Sequence, residues 1–295
     1  MELNNSFFTS EAVTAGHPDK VCDAISDKIL DEALRIDTDS RMAVECTIKD
    51  NFLLIYGEAN TKANLDYKAI ADSVLKEIGY MEDFDILVKI GKQSSEISNA
   101  VGKDQSIGAG DQGIMFGYAC NDTKNYMPAP IQYANDLARR LGEIQKETNF
   151  LGVDGKTQIT IEYEDRKVKR IDTIIISTQH SENVARKNLE EFIISNVVDP
   201  VIPDSMIDEN TKILINPSGS FVVGGPYGDS GTTGRKIACD TYGGMGRIGG
   251  GCLSSKDPTK VDRSAAYYCR FVAKNVVAHD FAEQCEIQVS YAIGS

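Results

Sequence analysis

Gly16-His17-Pro18-Asp19-Lys20 places an imidazole, a carboxylate and an ammonium around one proline. Pro suits the first turn of a helix, where its missing N–H would be unpaired anyway. A helix N-terminus attracts anions, and His17 and Lys20 would add to that pull. Asp19 could hold a divalent metal that in turn binds phosphate oxygens. The same five residues also fit a plainer reading, in which Asp19 complements the helix dipole and His17 is solvated.

A second chemical signal lies further along. Twelve of the 25 glycines fall between Asn216 and Gly251. So few side chains cannot pack a core, so these are loops whose backbone approaches something closely. From Asp229 to Arg263 there are six Lys/Arg against four Asp, an excess of +2 on a chain of net charge −13. Glycine-rich backbone with concentrated positive charge is the composition of an anion site, and equally of tight turns with solvated charges. Two standard phosphate motifs are excluded. Gly108-Ala109-Gly110-Asp111-Gln112-Gly113 satisfies G-x-G-x-x-G, but a polar stretch precedes it and the strand-like Ile114–Tyr118 follows, the reverse of a dinucleotide fold. Gly231-Thr232-Thr233-Gly234-Arg235-Lys236 has the wrong spacing for a Walker loop.

Several elements must position these residues. Val21, Ile25, Ile29 with Leu30, and Ala33 line one face of a helix opened by Pro18. Tyr67–Ile78 and 184–197 read as two more amphipathic helices. Asp257-Pro258 starts a fourth, with Val261, Ala265, Tyr268, Val272 and Val276 expected on its inner face. Met42–Ile48 and Phe52–Tyr56 flank Lys49-Asp50-Asn51 as a hairpin, and Ile159, Ile161 and Tyr163 alternate with polar residues as a strand. Val168–Ser177 and Thr211–Ile215 are further strands. Strands and helices that do not strictly alternate predict α+β layers rather than a doubly wound sheet.

Composition bounds the rest. The 295 residues carry 44 Asp+Glu against 31 Lys+Arg, which argues against a nucleic-acid or anionic-membrane surface. No run approaches the roughly 18 apolar residues of a membrane span. The first residues lack a secretory pattern, so a cytoplasmic protein is expected. Seven scattered cysteines without a C-x-x-C pair read as reduced core fillers, and three histidines are too few for a His-rich metal site. His180 reads as a structural hydrogen-bonding residue and His279 as a solvated one near a helix end.

Four segments together resemble the S-adenosylmethionine synthetase family. They are Thr9-Ser10-Glu11 with Gly16–Lys20, then Gly108–Tyr118, then Gly224-Gly225-Pro226 through Asp229 to Thr233-Gly234-Arg235-Lys236 and Asp240–Gly244, and finally Lys256-Asp257-Pro258 through Lys260-Val261-Asp262-Arg263-Ser264. They occur in the family's order, and similarity runs from about residue 6 to Gly294. The resemblance implies three similar α/β two-layer domains about a pseudo-threefold axis, at 4–93, 108–222 and 224–295, the third shorter than in the family. It implies ATP and methionine as substrates. Methionine sulfur attacks C5′ of ATP and expels tripolyphosphate, which is cleaved to pyrophosphate and phosphate. The family's cofactors are two Mg²⁺ per site and K⁺. Its assembly is a homodimer with shared active sites, or a tetramer.

Carried over position by position, the resemblance makes His17, Lys156, Arg235, Lys236 and Lys256 catalytic, around the polyphosphate. The nucleotide set adds Asp154, Phe221 (stacking on adenine), Asp229, Cys252 and Ile293. Glu58, Gln93, Asp111, Asp229 and Lys260 match the methionine pocket. Asp19 matches a Mg²⁺ ligand, Asp262 a second, weaker one, and Glu45 the K⁺ ligand. Residues 93–108 correspond to a loop that covers the site.

The sequence departs from the family at its glycine loop. Gly-Gly-Gly-Ala-Phe-Ser-Gly-Lys-Asp-Pro appears here as Gly249-Gly250-Gly251-Cys252-Leu253-Ser254-Ser255-Lys256-Asp257-Pro258. Ser255 stands for a glycine, and if that position needs φ > 0 a serine costs roughly 1 kcal/mol or more. Ile248 stands where a histidine is common, and Ser220 where an arginine precedes the stacking Phe. Two rivals to an active synthetase are a non-catalytic paralogue that regulates a full-length partner, and a protein that only hydrolyses tripolyphosphate. The complete ionisable set favours synthesis.

Overall fold

The computed structural model describes residues 5–92, 109 and 111–293. In chain order the main elements are β1 (Asn5–Val13), α1 (Pro18–Ile36), β2 (Arg41–Lys49), β3 (Phe52–Asn60), α2 (Tyr67–Ile78), β4 (Asp85–Gly91) and β5 (Gly113–Cys120). Then follow α3 (Ala129–Glu147), β6 (Leu151–Glu164), β7 (Lys167–His180), α4 (Arg186–Ile193), β8 (Lys212–Ile215), β9 (Gly231–Thr232), α5 (Val261–Ala278) and β10 (Gln284–Tyr291). The chain forms two compact units. The first comprises 1–17, 120–228 and 238–245; the second comprises 18–119, 229–237 and 246–295.

The first unit is built on the sheet β1-β6-β7-β8, antiparallel except for the parallel β7–β8 pair. Ile159, Ile161 and Tyr163 point into the core as period two predicts. On β7 the buried residues are Ile171, Ile174, Ile176, Thr178 and His180, so the first interval is three residues and the rest are two. A register shift opposite Thr160 and Ile161 inserts the extra residue and returns both sides of it to the core face. The β6–β7 turn, Asp165-Arg166, has φ of 50° and 65°. Two positive φ values make the two-residue turn whose twist matches the strands it joins.

α3 covers this sheet. It is a helix beyond the four read from the sequence, although its signal is present. Ile131, Ala134, Leu137, Ala138, Leu141 and Ile144 recur at helical spacing and are all buried. Each large apolar residue there contributes roughly 1.5–3 kcal/mol by leaving water. The expected 184–197 helix is α-helical only over Arg186–Ile193. It continues as a wider π turn, Ile194–Val198, with Asp199 N–H donating to the Ile194 carbonyl five residues back.

The second unit holds the sheet β4-β3-β2-β9, with β3–β4 parallel and the other pairs antiparallel. Met42, Val44, Cys46 and Ile48 of β2, with Leu53 and Ile55 of β3, form its buried face. Val21, Ile25, Ile29, Leu30 and Ala33 of α1 and Ala71, Val74, Leu75 and Ile78 of α2 are buried as well, the faces their spacing predicts. Ala43, Glu45, Tyr56 and Glu58 share the opposite face, since residues 43 and 58, and 45 and 56, are paired.

A smaller sheet, β10-β5, lies in the same unit, with α5 packed against it. Here the predicted inner face of α5 is corrected. Ala265, Cys269, Ala273 and Val277 are buried, whereas Tyr268 is 66% exposed, and Val261, Val272 and Val276 are only partly covered. The reason is closeness. A Cβ on Gly117 would lie 2.1 Å from the carbonyl carbon of Cys269. The helix backbone rests on the strand, so only small side chains fit the contact face.

Candidate anion-binding site

The site in the second unit starts from α1. Asp19, Asp23 and Asp27 occupy positions i, i+4 and i+8, so they lie along one stripe of the helix. Each carboxylate accepts a backbone N–H from the glycine-rich segments. Asp19 Oδ1 takes Thr232 N–H at 2.9 Å, Asp23 Oδ1 takes Gly234 N–H at 2.8 Å, and Asp27 Oδ1 takes Ser255 N–H at 3.1 Å. Two loops distant in sequence are thereby strung along one helix. Such charge-assisted bonds are about twice as strong as neutral ones.

The first loop is fixed on three sides. β9 pairs with β2, Thr47 opposite Thr232 and Ile48 opposite Gly231. Thr233 is buried. It shares a hydroxyl hydrogen bond with Ser26 at 2.8 Å and accepts Cys46 N–H at 2.9 Å. A Cβ on Gly231 would lie 2.2 Å from the Pro18 carbonyl oxygen, so no other residue fits without moving backbone.

The anchored loop presents two cations. Lys236 Nζ lies 2.6 Å from Asp19 Oδ2, and Arg235 Nε lies 3.5 Å from Asp19 Oδ1. Asp19 is 1% exposed, while Arg235 keeps half its side chain in solvent. Two cations on one carboxylate leave one excess positive charge at the start of α1, where the helix dipole adds to it.

The second loop carries Lys256. Its backbone bridges to Ala43 of β2 and its ammonium pairs with Asp262. Ser255 beside it has φ of +77°, so the position does demand the left-handed region. Its side chain is buried, and Oγ meets no hydrogen-bond partner among the described residues. Asp257 is fully buried. It accepts Met42 N–H at 2.7 Å, Thr259 N–H at 2.9 Å and Thr259 Oγ1 at 2.6 Å, and it pairs with Lys260. Burial opposes its charge, but the Lys260 and Thr259 hydrogen bonds outweigh burial and hold the carboxyl below its ordinary range.

The remaining expected residues are placed as follows. Glu45 and Glu58 share the open face of β2–β3, Glu45 accepting the Tyr56 hydroxyl at 3.5 Å. Burial, then the Glu45 charge, raises the Tyr56 phenol. Asp111 and Asp229 are exposed and accept the amides of Gln112 and Ser230, each at 2.7 Å. Cys252 is half-buried, its thiol raised by burial against the lowering effect of Lys256. Ile293 is exposed just past β10. Gln93 and the rest of the 93–108 loop lie outside the described residues.

Four expected residues belong to the first unit. Lys156 pairs with Glu11 at 2.6 Å across the β1–β6 ladder, both about half exposed. Asp154 is buried, and its Oδ2 accepts Gly225 N–H at 2.8 Å. Phe221 is tied to His180 twice. His180 N–H donates to the Phe221 carbonyl at 2.9 Å, and Phe221 N–H donates to His180 Nε2 at 3.1 Å. Nε2 as acceptor leaves the proton on Nδ1, which faces the Ser181 carbonyl at 3.0 Å. His17 follows Gly16, its N–H donating to the Thr14 carbonyl at 3.1 Å.

Reading the sequence missed Asp23, Asp27, Thr233 and Arg263. The i, i+4, i+8 spacing of the aspartates was the available signal. No group of three or more His, Cys, Asp or Glu that could hold a metal occurs among the described residues. The two carboxylates expected to hold Mg²⁺ are engaged by cations here, Asp19 by Lys236 and Arg235 and Asp262 by Lys256. No helix among the described residues is long and apolar enough to cross a membrane.

Comparison with known proteins covers nearly the whole chain. The family model described as S-adenosylmethionine synthetase, N-terminal domain, matches residues 5–106. The central-domain model matches 106–221, and the C-terminal-domain model matches 223–295. An S-adenosylmethionine synthase of Sorangium cellulosum (strain So ce56) is 50% identical over 301 residues, covering 97% of this chain and 71% of that relative.

Proposed function

The chain belongs to the S-adenosylmethionine synthetase family and makes S-adenosylmethionine from ATP and methionine; from that premise we propose how its own residues carry the reaction. Sulfur carries no proton in methionine, so its attack on C5′ needs no general base. Catalysis comes from alignment and from stabilising a leaving triphosphate that gains charge. The observation that carries the reading is the pair Arg235 and Lys236, backbone-anchored around a buried Asp19, with Lys256 on the adjoining stretch of the β2 edge.

In this reading Arg235, Lys236 and Lys256 bind the polyphosphate, and His17 and Lys156 keep the catalytic roles that the family resemblance gives them. Phe221 stacks on adenine; Asp154, Cys252 and Ile293 complete the nucleotide contacts. Glu58, Asp111 and Asp229 take the methionine amino group, Lys260 its carboxylate, and Gln93 completes the pocket. Asp19 and Asp262 would hold Mg²⁺, which neutralises phosphate charge when bound, and Glu45 would hold K⁺. Lys236 would turn from Asp19 to phosphate when nucleotide binds, leaving the Asp19 carboxylate to hold Mg²⁺. The same cations then serve cleavage of the tripolyphosphate. We further propose three domains about a pseudo-threefold axis, a homodimer with shared sites, and a cytoplasmic location.

The test is incubation of the purified chain with ATP, methionine, Mg²⁺ and K⁺. Adenosylmethionine and phosphate are expected, with synthesis largely lost in Lys236→Ala and Lys256→Ala. Full turnover in folded Lys236→Ala would sink the assignment of this cation pair.

A further inference from the structure

We infer that Asp27 and Arg263 form a clamp that positions Lys256 for the polyphosphate, an inference that rests on the role proposed above for Lys256. Asp27 Oδ1 accepts two hydrogen bonds at once, from Ser255 N–H at 3.1 Å and from Arg263 Nη1 at 2.9 Å. The same Nη1 donates to the Lys256 carbonyl at 3.2 Å. One ion pair thus grips the peptide group entering Ser255 and the peptide group leaving Lys256. The backbone of the two residues between those grips is held at both ends.

The grip has something to resist. Ser255 holds a left-handed φ with a Cβ and with a buried hydroxyl that lacks a partner. Such a conformation persists only where its surroundings over-determine it. Released, Ser255 would relax toward negative φ and shift the Lys256 side chain, leaving the Ala43 bridge and the Met42–Asp257 bond as the remaining anchors of that stretch. Arg263 is itself held. Its Nε donates to the Tyr267 hydroxyl at 3.3 Å, and the guanidinium lies 5.7 Å from the Tyr267 ring centre, within cation–π range. Its forked donors let it serve Asp27 and a carbonyl together, which a lysine ammonium on a flexible stem could not do in the same geometry. Neither residue needs to touch substrate. Both act through Lys256, so they are positioning residues.

The full chain is tested as Asp27→Asn, Asp27→Ala and Arg263→Lys, each also combined with Lys256→Ala. Folding is checked by circular dichroism, inorganic tripolyphosphate affinity by calorimetry, and ATP and methionine kinetics by product formation. Displacing a catalytic group by about 1 Å can cost on the order of 100-fold. Asp27→Ala is therefore expected to lower kcat by roughly 10- to 100-fold and to weaken tripolyphosphate about tenfold, with the methionine KM within about twofold. Asp27→Asn keeps the acceptor for Ser255 N–H and recovers part of the loss. It also stands in should Asp27→Ala fail to fold. The deciding readout is non-additivity. In the Lys256→Ala background the Asp27 change should weaken tripolyphosphate no further. An additive loss there, or unchanged kcat in folded Asp27→Ala and Asp27→Asn, overturns the clamp. Full turnover in Lys256→Ala alone overturns the role of Lys256, and the clamp with it.

Discussion

Replacing Ser255 by glycine should make this protein more stable, and the structure supplies the magnitude. A serine at φ +77° pays roughly 1–2 kcal/mol for its Cβ in the left-handed region. Its buried, unpartnered hydroxyl costs about a further 1–2 kcal/mol. Against these stand about 0.5–1 kcal/mol for the freedom glycine gains in the unfolded chain, and about 0.8 kcal/mol for one buried methylene. The balance favours Ser255→Gly by about 1–2 kcal/mol, or roughly 3–6 °C in Tm for a unit of this size. Ser255→Ala separates the two causes, because it keeps the Cβ and deletes only the hydroxyl. It should recover about half the gain. Chemical denaturation of the three proteins side by side, with scanning calorimetry, measures both differences. A neutral or destabilising Ser255→Gly would refute the reasoning, since it would mean that the hydroxyl is satisfied or that the backbone bears no strain.

Other outcomes follow from the same contacts. Asp257 has a folded pKa below its unfolded value of about 3.9, so its stabilisation is complete above that value and fades as pH falls through the folded one. Asp257→Asn removes the charge that pairs with Lys260 and should be less stable than the parent by about 3 kcal/mol at pH 7, with the difference shrinking in acid denaturation curves as acid protonates the parent's carboxylate. Gly231→Ala should cost about 1–3 kcal/mol by overpacking against the Pro18 carbonyl, and should lower turnover by shifting Arg235 and Lys236, read by denaturation and product formation together. A thiol reagent on native protein should modify Cys252 and Cys285 first, since the other five cysteines are buried. Burial pushes the Cys46 thiol up to about 12 and raises Cys22 as well. Mass spectrometry that finds Cys22 or Cys46 labelled before unfolding would contradict that packing.

What the sequence determined by itself was periodic or chemical. The α1 and α2 faces, the β2–β3 hairpin and the β6 alternation were legible because a helix or strand repeats its buried side locally. The glycine-rich basic segment was legible as loops that carry concentrated positive charge, because charge and missing side chains are properties of composition. Tertiary structure decided what depended on a neighbour. Period alone could not show that α5 rests on Gly117, so its contact stripe is Ala265, Cys269 and Ala273 rather than the larger Tyr268. The bulge that sets Ile171 and Ile174 on one face depends on the pairing of β7 with β6. Asp23 and Asp27 carried no signal of their own beyond their helical spacing. They became anchors only when segments more than 200 residues away supplied the amides of Gly234 and Ser255. A carboxylate's role is fixed by the donors that reach it, and those donors are brought by the fold.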